Sequence, residues 1–318
     1  MTIILSLGNI DQVIQISDRR LSSNGRLIED ESNKAGILFC PNARLAFGYT
    51  GLARYGTFKT FDWLLTALHE AGPPDFIAHS ILERVRLNAT RTFQEHPVLR
   101  SAPRSAKKIS ILFSGYIYGN GAPQQGYALI SNYVNIDTGY QFDVTQDEFI
   151  SRYFSANDFA ANPTLIQRIG NWNGITELDM YRLRQVLNER KPPQAILNIA
   201  IDFIKNLADR QKSEKYIGKQ LTSICIDPNP GKPVKTNYHT SVIRRESYMP
   251  AQISLFPDNH CTISNISIKP VDDDTLPISV PKVNKNAPCP CGSKIRYKNC
   301  HGKLKIDKEQ SVNLLGSS

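Results

Sequence analysis

Nowhere along its 318 residues does the chain run apolar for the roughly 18 residues that a bilayer-crossing helix needs. A helical membrane span is therefore excluded. The short apolar start, Ile3-Ile4-Leu5-Ser6-Leu7, lacks a basic leader, so no secretory signal is expected and the chain reads as a cytoplasmic protein. No Gly-rich loop of the phosphate-cradling kind is present, so ATP hydrolysis is not indicated and any unfolding motor would be a separate protein. Internal repeats are lacking too. Cysteines are few: of six, Cys40, Cys225 and Cys261 stand alone and read as small buried hydrophobes. His69, His79 and His96 show no metal-ligand spacing.

What is present suits a globular protein. A hydrophobic share of 41% with 21% charged residues is enough apolar material for a core without disulfides, which excludes wholesale disorder. The formal charge of +9 is unevenly spread. Residues 282–318 hold eight Lys/Arg against two Asp/Glu, about two thirds of the net charge. Such a tail either contacts nucleic acid, the ribosome or an acidic protein, or simply keeps the chain solvated.

Periodicity divides the chain coarsely. Thr2–Leu7 and Gln12–Ser17 are β-branched runs around the turn residues Gly8–Asp11, and Gly36–Cys40 and Arg44–Gly48 repeat the arrangement around Pro41-Asn42-Ala43. Leu52, Tyr55, Phe58, Phe61, Leu65 and Leu68 recur at helical spacing until Gly72-Pro73-Pro74, after which Asp75 is placed to cap a second helix. Arg100–Arg104 reads as a polar loop, Ile109–Ser114 and Tyr127–Val134 as strands. Leu178–Asn188 and Gln194–Leu207 read as helices, Leu221–Ile226 and Val234–Ile243 as strands. Strands, two helices, strands, two helices and strands predict an α+β domain with helices outside packed sheets.

The other three cysteines crowd together. Cys289-Pro-Cys291-Gly-Ser-Lys-Ile-Arg-Tyr-Lys-Asn-Cys300-His301 sets four soft or borderline ligands in two tight pairs, the donor set that closes a structural zinc tetrahedron. A segment this short has no core, so metal binding would supply its folding free energy. Disulfides are the alternative, disfavoured in a cytoplasmic setting. The stretch from Asn286 to Ser293, with Tyr297 to His301, resembles the SEC-C motif, the zinc module at the C-terminus of the SecA translocation ATPase. That resemblance covers about seventeen residues. It implies structural Zn(2+) on Cys289, Cys291, Cys300 and His301 and a protein or ribosome partner docked there, and says nothing of any reaction.

At the other end stands Thr2. Methionine aminopeptidase removes Met1 before a small residue, which would expose a hydroxyl and an α-amine on the same residue, a self-contained nucleophile and base. Asp18, Lys34 and Gly48 follow Thr2 by 16, 32 and 46 residues. With Ser17-Asp18, Asn33-Lys34 and Ala46–Gly51 around them, they resemble the proteasome β-subunit family of N-terminal nucleophile hydrolases.

The resemblance implies a four-layer αββα sandwich over residues 2–269. A linker would cover 270–286, the zinc module 287–303, and a basic tail 304–318. It implies Thr2 as nucleophile and Lys34, held by Asp18, lowering the proton affinity beside it. The freed amine, through a water, would take the hydroxyl proton. The Gly48 N–H would serve the oxyanion, a contribution of about 3 kcal/mol. Ser155 and Glu214 stand in the supporting positions, Glu214 where the family usually has Asp, and Ile217 where it has Ser. Leu21, Ser32, Ala46, Thr50 and Arg54 would line the pocket for the residue before the scissile bond, with Arg54 either favouring an acidic residue or merely solvated. A peptide or other amide is the expected substrate, and a homo-oligomer is compatible with ring-forming relatives. The alternative is a non-catalytic adaptor that uses the same scaffold and its zinc tail for recruitment.

Overall fold

A computed structural model of the protein describes residues 2–23, 26–30, 32–135, 141–154, 164–172, 174–210, 216–239, 247–255, 261–268 and 270–271, with positions 286, 296 and 299. The chain divides into two compact units, Met1–Asp273 and Asp274–Ser318.

The first unit opens with the hairpin β1 (Ile3–Asn9) and β2 (Gln12–Asp18). Asn9 closes its turn, its Oδ1 accepting from the N–H groups of Asp11 (3.0 Å) and Gln12 (3.2 Å), the local competition with backbone that makes Asn a turn residue. A short ribbon, β3 (Leu21–Ser23) and β4 (Arg26–Glu29), precedes the second hairpin, β5 (Ala35–Cys40) and β6 (Ala43–Gly51). Then come β7 (Arg54–Tyr55), β8 (Phe58–Lys59), α1 (Thr60–Glu70), α2 (Ala78–Glu95) and α3 (Pro97–Arg100). Strands β9 (Ile109–Ile117), β10 (Gln124–Ser131), β11 (Ile150–Phe154) and β12 (Leu165–Gly170) lead to α4 (Glu177–Asn188) and α5 (Pro193–Asp209). The last strands are β13 (Leu221–Ile226), β14 (Lys235–His239), β15 (Ser247–Leu255), β16 (Cys261–Ile268) and β17 (Pro270–Val271).

Two sheets result, ordered β12-β1-β2-β13-β14-β17 and β11-β10-β9-β6-β5-β15-β16. Every residue of β1 and β2 is buried, because both faces of that sheet are covered. On one face Ile3, Leu5, Leu7, Ile14 and Ile16 pack against Leu183, Ile196 and Ile204 of α4 and α5. On the other, Ile4 meets Leu112 and Ile169 while Val13 and Ile224 meet Ala35, Ile37 and Ala46 of the second sheet. That second sheet turns Leu45, Phe47, Ile111 and Phe113 toward Leu64, Leu68, Ile81 and Val85 of α1 and α2. The layers therefore run helices, sheet, sheet, helices: the four-layer αββα sandwich. Each of these buried aliphatic side chains contributes about 2 kcal/mol, so the four layers hold each other and not their individual propensities.

Several local expectations are corrected. Leu52–Phe58 has helical spacing, yet those residues form the small β7–β8 ribbon and the helix starts only at Thr60. Gly56, at φ 53°, is the left-handed turn residue that breaks the helical course. Asp75 does not cap α2 through its first turn. The helix begins after Ile77 with no side-chain cap, and Asp75 pairs with Arg84 at 2.7 Å, which holds its carboxyl down to about 2. The α4 start is a capping box instead, Thr176 and Asp179 bonding each other's backbone N–H. Pro193 begins α5, where its missing N–H costs nothing. The strand expected at 127–134 lies at Gln124–Ser131, and that expected at 234–243 is described over Lys235–His239.

Candidate active site

The β1–β2 register, Ile4 opposite Ser17, brings Thr2 at the start of β1 beside Asp18 at the end of β2. Lys34 precedes β5 and reaches across from the second sheet. All three are deeply buried, at 4% (Thr2), 0% (Asp18) and 2% (Lys34) exposure. Asp18 is held by backbone on three sides: Oδ1 accepts from Ile3 N–H (2.9 Å), and Oδ2 from Arg20 N–H (3.1 Å) and Gly218 N–H (3.1 Å). Lys34 Nζ stands 3.7 Å from Asp18 Oδ2 and donates to both Thr2 Oγ1 and the Arg20 carbonyl.

Burial dominates the electrostatics. Desolvation lowers the Lys34 pKa to about 8 against the opposing pull of Asp18, while Arg19 and Arg20 push it down further. Desolvation likewise raises the Asp18 carboxyl, despite Lys34 and its three N–H donors. The amine that touches the Thr2 hydroxyl is thus poised to exchange a proton near neutral pH.

Three contacts at this site had no signature in the sequence. The Asn171 N–H donates to the Thr2 carbonyl at 2.9 Å. Gly170, at φ 93°, lies so close that a Cβ there would collide with the same carbonyl. Gly218 is the third, since its N–H reaches Asp18. These positions come from β12 and from the loop before β13, elements remote in sequence, and no local pattern marks them.

Gly48 is corrected. Tyr118 N–H donates to Asn42 carbonyl and Leu52 N–H to Lys108 carbonyl, both at 2.7 Å. Between them the β6–β9 register runs without a bulge. An antiparallel ladder alternates, so the even-numbered residues of β6 exchange bonds with β9 and the Gly48 N–H is spent on Leu112. Glycine is needed there for room: a Cβ would stand 2.6 Å from Ile4 Cδ1. Gly51, three residues on at φ 101°, has the opposite phase; its N–H turns to the side on which β5 begins only at Ala35.

The expected pocket residues differ in exposure and in what surrounds them. Ala46 is fully enclosed between the sheets with Ala35, Ile37 and Val13. Thr50 is buried, its Oγ1 3.4 Å from Tyr133 Oη. Arg54 is exposed on β7; Leu21 is buried, and half-buried Ser32 donates its N–H to the Arg19 carbonyl at 3.0 Å. Ile217 is enclosed with the α4–α5 layer. Ser155 and Glu214 lie outside the described residues, as do Cys289, Cys291, Cys300 and His301. Among the described residues no His/Cys/Asp/Glu group could hold a metal ion, and no helix is long and apolar enough to cross a membrane.

Residues 286–303 match the family described as SEC-C motif. The protein translocase subunit SecA of Neisseria meningitidis serogroup A is 31% identical over 120 residues, 36% of this chain and 13% of that protein. SecA of Psychrobacter cryohalolentis is 53% identical over 32 residues, 10% of this chain and 4% of its own. The chain thus spans only a small part of the SecA proteins it matches. Among solved structures, the helical assembly of the Anbu complex from Pseudomonas aeruginosa aligns with a TM-score of 0.48 at 15% identity, over 75% of this chain and 87% of that one. HslV from Trypanosoma brucei aligns with a TM-score of 0.39 at 14% identity, over 71% and 99%.

Proposed function

We propose that the protein is a threonine-type amide hydrolase, a peptidase by preference, whose nucleophile is the hydroxyl of Thr2 after Met1 removal. The observation that carries this reading is the contact of the Lys34 amine with Thr2 Oγ1 inside a buried Asp18–Lys34 pair. Burying two charges carries a cost that their attraction barely offsets, and a passive scaffold gains nothing from retaining it. For that reason the adaptor alternative is not favoured.

The chemistry follows from the partners of Nζ. Nζ contacts Thr2 Oγ1 and the Arg20 carbonyl, with Asp18 Oδ2 at ion-pair distance, 3.7 Å. Neutral Lys34, in contact with the hydroxyl, can take the Thr2 proton directly, a more direct path than the water-mediated amine. Thr2 Oγ1 then bonds to the amide carbonyl carbon, and the carbonyl oxygen takes the negative charge. Protonated Lys34 returns its proton to the departing amine as the C–N bond breaks. Water then cleaves the acyl ester, which restores Thr2.

An epoxyketone probe tests this, because its ring closes only on a residue that offers both hydroxyl and amine. Peptide mapping is expected to find the adduct on Thr2. The labelling rate should rise with pH and level off near pH 8, where Lys34 loses its proton. Met1 retained on every molecule, or a free Thr2 labelled independently of pH, would count against the mechanism.

The C-terminal segment supplies recruitment in this reading. Cys289, Cys291, Cys300 and His301 are the donor set that zinc favours in structural sites, and would hold it there in a reducing cytoplasm. When bound, the metal supplies folding free energy to the segment and no chemistry to the substrate. It would present a docking surface for a protein or ribosome partner. A strong chelator is expected to release about one zinc per chain. Ribosome co-sedimentation should fall with it, while Thr2 labelling changes less than about twofold. Loss of labelling in parallel with zinc would join what is proposed here as two separate functions.

A further inference from the structure

Removal of Met1 leaves Thr2 joined to the chain on one side only, and its carbonyl becomes the main-chain group through which the sheet holds it. That carbonyl accepts from the Asn171 N–H at 2.9 Å. In a trans peptide the C=O and N–H point opposite ways, so the peptide that turns the Asn171 N–H toward Thr2 turns the Gly170 carbonyl away from β1. β12 is the outermost strand of its sheet and offers that carbonyl no ladder partner. Gly170, at φ 93°, also lacks a side chain to fix its own peptide. A side chain from another segment does so: Gln141 Nε2 donates to the Gly170 carbonyl at 3.1 Å. The root of Gln141 is fixed in turn. It forms a β-bridge with Val134, Phe142 N–H donates to the Tyr133 carbonyl at 2.7 Å, and Tyr133 Oη lies 3.4 Å from Thr50 Oγ1. Thr50 leads back to the same peptide, since a Cβ on Gly170 would stand 2.9 Å from Thr50 Cγ2.

We infer that Gln141 is a positioning residue: by holding the Gly170–Asn171 peptide it sets the Thr2 carbonyl, and with it the approach of Thr2 Oγ1 to the Lys34 amine. This rests on the reading of Thr2 as nucleophile. The hydrogen bonds run in one line, from the Gln141 amide through the peptide to Thr2, and each polarises the next. Gln141 itself is exposed, so changing it takes little from overall stability. Rate is more sensitive, because a displacement of about 1 Å at a reacting group costs on the order of a hundredfold. Asn171 is engaged elsewhere as well, so losing Gln141 loosens the peptide without releasing it, and only part of that effect is expected.

The test compares, in the full chain, Gln141→Met, which keeps the length and loses the donor, with Gln141→Lys, which regains a donor. Gln141→Met is expected to slow the limiting rate of epoxyketone labelling about tenfold with half-saturation within about twofold, and Gln141→Lys to restore most of the rate. A wild-type rate in Gln141→Met would overturn the assignment. So would equal losses in both variants, or a loss confined to a raised half-saturation, which would mark a substrate contact. Hydrogen exchange of the Asn171 amide provides a readout independent of labelling. It should quicken about tenfold in Gln141→Met but not in Gln141→Lys, while the Ile4 and Ser6 amides of the same ladder keep their protection. That result supports the positioning role even should no adduct form on Thr2. Unchanged Asn171 exchange overturns the role even where Thr2 is the nucleophile.

Discussion

Replacing Thr2 by Ala is expected to abolish amide hydrolysis, lowering kcat/KM by about 10⁴-fold or more. Thr2→Ser should keep activity within roughly tenfold, since it retains both hydroxyl and amine. The size of the first effect follows from Thr2 supplying both the attacking atom and the free amine, so no neighbouring group can take over. Stability should change little by comparison. Lys34 Nζ keeps its contacts with Asp18 and the Arg20 carbonyl, and losing the Thr2 Oγ1 contact costs about 1 kcal/mol. Peptide turnover, thermal melting and epoxyketone labelling of the three proteins separate the possibilities. A Thr2→Ala protein that turns over peptide at the wild-type rate would remove the nucleophile reading and leave the sandwich as a recruitment scaffold.

The legible part of the site was the part written locally. Thr2, Asp18 and Lys34 sit at the ends of two hairpins whose turns, Asn9–Asp11 and Pro41–Ala43, carry strong turn chemistry, so their register and offsets could be read along the chain. The oxyanion donor is not written locally in the same way. Its offset presumes that β6 ends near Gly48, but β6 pairs through Gly51, and which amide points into the cleft depends on ladder phase, which sequence does not record. Gly170, Asn171 and Gly218 arrive through pairing with β12 and the loop before β13, contacts made across more than a hundred residues. Leu52 to Phe58 failed for another reason. Their apolar spacing serves the same helix-facing core whether the backbone is helical or a ribbon, and Gly56 decides between them. Likewise β15 and β16 carry apolar and β-branched residues such as Ile253, Ile263, Ile266 and Ile268, but their places come from long-range pairing, β15 with β5 and β17 with β14.

Lys34→Met should separate catalysis from folding most sharply. Met fills a similar volume without the amine, so hydrolysis is expected to fall by about 10³-fold or more as the Thr2 proton loses its acceptor. Stability should fall as well, by about 3–5 kcal/mol, because Asp18 then sits fully buried without a cation. Three N–H donors still hold the carboxylate, which places the loss toward the lower end of that range. The pH dependence has a defined sign. Burial already raises the Asp18 pKa above its unfolded value, and without Lys34 it rises further. A raised carboxyl contributes its full stability below the unfolded pKa and loses it as pH climbs toward the folded one. The deficit of Lys34→Met relative to wild type should therefore be smallest near pH 4 and widen toward neutrality. Adding Asp18→Asn removes the unpaired charge. The double variant should recover part of the stability at pH 7 while hydrolysis stays lost, since no group remains to take the Thr2 proton. Denaturant melts across pH and peptide turnover on the same samples measure both. Recovery of turnover together with stability would mean that the buried pair serves the fold alone, and that the proton leaves Thr2 by another route.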